Sequence, residues 1–276
     1  MAQNALIKAL RRFAGWVGAE LKVRERPPRA APVRALALVA AVALIVLATL
    51  LLPSGGGLAV FLLDHGPMSA FPYPFTIQNL MHGLFLLGLA EIFVRGRTAR
   101  WEAAFLAQGY LPEDGQTVLE AHELGPIRQR VAHAFDAEHG FLPSLIDLSI
   151  LQFQASRSVD QTVSVLNAAL ELINHRLDLR YQSVRYLVWV IPTIGFIGTV
   201  VGIAGALSYV NPDNMDLARI AGNLGIAFNT TIIALIESAV LVLLQHVVQK
   251  REEGALNAAG SYTLKNLINR LYVGDA

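Results

Sequence analysis

Four apolar stretches, residues 35–52, 75–94, 184–207 and 220–248, constrain this chain more than any other feature. A helix needs about 20 predominantly apolar residues to cross a bilayer core, where every backbone N–H and C=O must be satisfied within the segment. The expected fold class is therefore an all-α membrane protein with four transmembrane helices. Composition agrees, with 54% hydrophobic and 16% charged residues, against about 25% charged in a soluble domain. A net charge of +1 gives no basis for nucleic-acid binding. The absence of cysteine excludes disulfides, thiolate metal sites and thiol nucleophiles. The first stretch is too long for a secretory signal and 34 residues precede it, so it is expected to be a retained span.

Lys and Arg set the expected orientation. Residues 1–34 carry eight basic residues against Glu20 and Glu25. The 53–74 loop has no basic residue, and the 208–219 loop has only Arg219. Arg95, Arg97, Arg100, Arg185, Lys250 and Arg251 flank the other ends of the spans. Positive residues stay inside, which predicts a multi-pass membrane protein with both termini and the 95–183 segment in the cytoplasm. The loops at 53–74 and 208–219 would then be periplasmic, and 249–276 a cytoplasmic tail.

Residues 3–22 place Leu6, Leu10, Phe13, Val17 and Leu21 on one helical face, which reads as an amphipathic helix on the membrane surface, with a frayed basic tail as the alternative. Residues 24–32 form a proline-rich linker. Between residues 95 and 183 there is no strand alternation, and a helical cytoplasmic domain is expected. It has breaks at 111–115, at Gly125-Pro126 and at 140–143. Ser144, followed by Asp147, resembles an N-cap. Nothing stops a helix between Ser144 and Pro192, so one helix is expected to run from there into the third span. The fourth helix should extend beyond Lys250. Glu91 and Arg95, four apart, suggest a local ion pair.

Two spans carry unusual patterns. In the third, Gly195, Gly198, Gly202 and Gly205 share one helical sector, with Pro192 a turn earlier, and helix packing alone would account for the glycines. In the fourth, Asn223, Thr230, Thr231, Glu237 and Ser238 gather on one side, and bulky apolar residues fill the rest. Polar groups at membrane depth face a bundle interior or a wet path, although threonine hydroxyls can also bond their own preceding carbonyls. Glu237 has no Lys or Arg partner in its span. It would lie either on an ion path or, neutral, against the neighbouring helix near Thr193. His82 and Gln78, one turn apart, suit interhelical hydrogen bonding better than an ion relay. No zincin motif, phosphate-binding loop or nucleophile elbow is present, so neither a catalytic residue nor a metal site is assigned.

Ile191-Pro192-Thr193-Ile194-Gly195-Phe196-Ile197-Gly198-Thr199-Val200-Val201-Gly202 resembles the glycine-rich signature of the MotA/TolQ/ExbB proton channel family. Ala227-Phe228-Asn229-Thr230-Thr231-Ile232-Ile233-Ala234-Leu235 is similar to its second motif, with Phe228 for Leu and Ala234 for Gly. The resemblance covers roughly residues 144–270. It implies a pentamer of this chain around two copies of a single-span partner resembling MotB, TolR or ExbD, which supplies an ion-binding aspartate. It further implies that Thr199 and Thr231 border the path, that H⁺ or Na⁺ is the transported ion, and that no cofactor is required. Thr230, Glu237 and Asn223 are further path candidates from the polar sector. Four spans resemble MotA, whereas the Thr-Thr pair resembles TolQ and ExbB. The rival readings are a secondary transporter with its own site around Glu237 and His82, and a membrane scaffold built on the glycines.

Overall fold

The structure, a computed structural model, describes residues 28–67, 69–114, 116–136, 138–210 and 216–272. The surface helix expected at 3–22 lies outside them. Among the described residues, four helices are long and apolar enough to cross a membrane. The described residues fall into two units, one built from 28–94 and 181–247, the other from 95–180 and 248–272.

In the first unit, α1 (Ala30–Leu51) buries only Ala41, so its apolar side chains point away from the protein, as on a lipid-facing span. The triple glycine after Pro53 does not simply end a span. It leads into a short helix, α2 (Gly57–Leu63), absent from the sequence expectation. Asp64 ends α2 in the left-handed region, φ 51°, which Asp tolerates better than most residues. Its carboxylate accepts a hydrogen bond from the Ser69 hydroxyl at 2.6 Å. The Thr76 hydroxyl donates to the Leu63 carbonyl at 2.9 Å, tying α2 to the start of α3 (Ile77–Ala104). Glu91 on α3 is buried and takes two hydrogen bonds from the Arg34 guanidinium on α1, at 2.8 and 3.0 Å. The expected local pair with Arg95 does not form. Arg95 lies instead 3.9 Å from Glu252. A planar fork matches a carboxylate bidentately, which a neighbour on the same helix rarely achieves.

The second unit contains the end of α3, a 3₁₀ turn (Phe105–Gln108), α4 (Leu124–Val131), α5 (Phe141–Ser156), the first part of α6 (Val159–Leu207), the last part of α7 (Leu217–Asn266) and a 3₁₀ turn (Ile268–Arg270). Trp101, Phe105, Leu124, Phe141, Ile146, Phe153 and Leu267 pack in its core. Leu119 and Leu271 form an isolated bridge.

Three expectations are corrected here. Gly125-Pro126 sits in the first turn of α4 rather than breaking a helix, because first-turn N–H groups have no intrahelical partner for proline to remove. Ser144 is not the cap of α5. The helix starts at Phe141 after Gly140 (φ 87°), and Glu102 accepts the Gly140 and Phe141 N–H groups at 2.8 Å each. A Cβ on Gly140 would lie 2.6 Å from that of Phe135, so glycine is required by space as well as by φ. Lastly, the helix expected to run unbroken from Ser144 stops at Ser156. Arg157 adopts φ 52° and donates its N–H to the Phe153 carbonyl at 2.8 Å. The Ser158 hydroxyl then accepts the Gln161 N–H at 3.3 Å, capping α6.

Candidate ion path and the helix seam

The glycines of α6 allow it to approach α7 closely. A Cβ on Gly202 would lie 2.6 Å from the Ala227 Cβ and 3.1 Å from the Asn223 carbonyl oxygen. One on Gly198 would meet the Thr230 hydroxyl at 2.9 Å, and one on Gly205 the Asn223 amide oxygen at 3.3 Å. Gly195 faces Ala234 and the Thr230 carbonyl in the same way. Small residues on both helices thus bring backbone against backbone, the arrangement that gains most dispersion energy in lipid. Pro192 lies within α6, which continues through it. Ser238 strengthens the seam by donating to the Val188 carbonyl at 2.9 Å.

Burial divides the polar sector of α7. Asn223, Thr230, Glu237 and Ser238 are buried within the unit. Asn223 donates to the Arg219 carbonyl at 3.0 Å, and Thr230 to the Ala227 carbonyl at 2.7 Å. Thr193 donates to the Trp189 carbonyl and does not reach Glu237. Thr199 and Thr231 lie at the edge of the seam, each partly exposed. Phe196, Val200, Phe228 and Ile232 around them are exposed.

The hydroxyls of Thr199 and Thr231 are hydrogen-bonded to each other. Thr199 also lies 3.1 Å from the Ala227 carbonyl and 3.3 Å from that of Gly195, and Thr231 lies 3.4 Å from the latter. A hydroxyl has one hydrogen to donate. Either Thr199 donates to Ala227 and accepts from Thr231, or Thr231 donates to Gly195 and accepts from Thr199. The two arrangements interconvert by hydroxyl rotation without creating charge. Each leaves lone pairs free to meet a carboxylic acid, a water or a cation.

Glu237 lies nearer the far end of the same sector of α7, where its Oε1 is 2.5 Å from His82 Nδ1 on α3. Each residue stood out in the sequence, but their 155-residue separation hid the pairing. Gln78 and Asp64 are likewise buried, and Asp64 carried no sequence signal beyond its loop position.

Neither a curated protein nor a solved structure matches the chain. Residues 136–259 match the MotA/TolQ/ExbB proton channel family, a channel family rather than an enzyme family. That stretch takes in both motifs, the glycine seam and the Thr199–Thr231 contact, so the match falls on the residues that carry the resemblance.

Proposed function

We propose that this chain is the channel-forming subunit of an ion-driven motor in a bacterial inner membrane, with both termini and the 95–183 segment in the cytoplasm. Five copies would enclose two helices of a single-span partner whose aspartate carries the ion, H⁺ or Na⁺, past Thr199 and Thr231. The observation that supports this most is the hydroxyl pair at the edge of the α6–α7 seam. It offers paired donors and acceptors at membrane depth without a fixed charge, which is what a carboxylic acid alternating between protonated and ionised states needs beside it. The apolar side chains around the pair would seat neighbouring subunits and the partner helices. Buried Thr230 and Asn223 serve the seam in this reading and do not line the path.

The test is the mass of the intact complex extracted from native membranes by a tag on this chain. Five copies with two of a small single-span protein are expected. A monomer or dimer with no such protein would contradict the proposal.

A further inference from the structure

The imidazole of His82 makes two hydrogen bonds that together fix the proton content of the pair it forms with Glu237. Nε2 lies 2.8 Å from the Leu62 carbonyl oxygen, and Nδ1 lies 2.5 Å from Glu237 Oε1. A carbonyl only accepts, so Nε2 carries a hydrogen. Two states of the same composition then remain for the other contact. In one, the Glu237 carboxyl is protonated and donates to a bare Nδ1. In the other, Nδ1 carries the proton and the carboxyl is ionised. A bare Nδ1 beside an ionised carboxyl would oppose two lone pairs at this distance. It would also leave a net negative charge among apolar helices, at a cost of several kcal/mol. The geometry therefore requires one proton between these two atoms.

Among the described residues, the surroundings supply no other countercharge. Glu237 is 7% exposed. It is the only ionisable residue of α7 between Ile220 and Leu244, and α6 has none between Leu187 and Leu207. Arg34 and Glu91 of α1 and α3 are paired with each other, and Asp64 and His65 follow α2. Glu237 Oε2 has no hydrogen-bond partner among the described residues. One helical turn from His82, Gln78 is fully buried, with both amide atoms similarly unpartnered. It lines a small pocket with Asp64, Asn223, Thr230, Gly198 and Gly202. Asp64 Oδ1 is also unpartnered. Buried polar atoms that lack protein partners around such a pocket mark a place for ordered water.

We propose that His82 and Glu237 form a proton-binding site inside each copy of the chain, separate from the Thr199–Thr231 pair, which exchanges its proton with water in the Asp64–Gln78 pocket. The site needs no partner protein, so it stands or falls independently of the motor reading.

The test uses full-length protein in lipid vesicles at pH 7, labelled with ¹⁵N in histidine and ¹³C in the glutamate carboxyls. His82 is identified by the dipolar coupling to a carboxyl carbon that persists in Glu120→Gln, since His122 also lies 3.3 Å from a glutamate carboxylate, that of Glu120. The expected result is either a doubly protonated His82 ring or an infrared carboxylic-acid band that is lost in Glu237→Gln. A singly protonated ring with no such band would overturn the proposal. Access is tested by transfer into deuterated water. Gln78→Leu, which keeps the size of the side chain and removes the amide that would hold the water, is expected to slow exchange of the shared proton several-fold. Unchanged exchange would overturn the route through the pocket.

Discussion

Gly202 and Ala227 face each other so closely that a Cβ on the glycine would sit 2.6 Å from that of the alanine and 3.1 Å from its Cα. The atoms in the way belong to a backbone and a Cβ, so no rotamer change relieves the clash, and α6 and α7 would have to separate.

Gly202→Leu should accordingly abolish assembly, seen as loss of the oligomer peak on size exclusion in mild detergent. Gly83, where a Cβ would meet nothing within 4 Å, provides the control. Gly83→Ala should leave assembly intact and raise stability by about 0.5–1 kcal/mol through the lower backbone entropy of the unfolded chain. Equal tolerance of both substitutions would mean that the seam is looser than described.

The Arg34–Glu91 pair should respond asymmetrically. Arg34→Met leaves a buried carboxylate unpaired and should cost about 3 kcal/mol. Adding Glu91→Gln removes that charge and should restore most of the loss. Thermal unfolding of the single and double variants in nanodiscs gives the coupling energy, and strict additivity would contradict a direct interaction.

Glu102 lies eight residues past the apolar stretch of α3. Burial pushes its carboxyl up to about 7, against the lowering effect of the Phe141 and Gly140 N–H groups, with Glu252 raising it further and Arg180 lowering it. The folded form thus holds a proton between about pH 4.5 and 7 that the unfolded chain releases. Stability from this group is therefore full below that window and falls as pH rises through it, by roughly 3 kcal/mol in total. The melting temperature should fall between pH 5 and 8 in the wild type, and Glu102→Gln should flatten that slope. A slope that survives the substitution would assign it to another group.

Much of the membrane part was legible in the sequence because helical periodicity reports directly on what faces what. The row from Gly195 to Gly205 and the sector from Asn223 to Ser238 are local patterns, and in the structure the glycines turn inward with Asn223, Thr230, Glu237 and Ser238. What escaped depended on distant partners or on residues without a breaker's signature. Ser156-Arg157-Ser158 has neither Gly nor Pro, yet its serine hydroxyls compete for backbone groups and end one helix while capping the next. The cap of α5 is Glu102, 38 residues before Gly140, so Ser144 was the best local candidate and the wrong one. Arg95 met Glu252 instead of its neighbour Glu91 for the same reason. His82 and Glu237 stood out singly as polar residues in apolar spans, and only tertiary structure joins them.

In the proposed motor, ions pass beside the hydroxyls of Thr199 and Thr231. Valine keeps the shape of threonine and deletes the hydrogen bond, worth about 1 kcal/mol, or roughly fivefold in rate for each site. The most direct measurement is ion flux into vesicles holding the complex purified through this chain, compared between wild type and the Thr199→Val/Thr231→Val double variant at equal assembly. Flux is expected in the wild type and its near loss in the variant. Equal flux in the two would contradict that role of the hydroxyls.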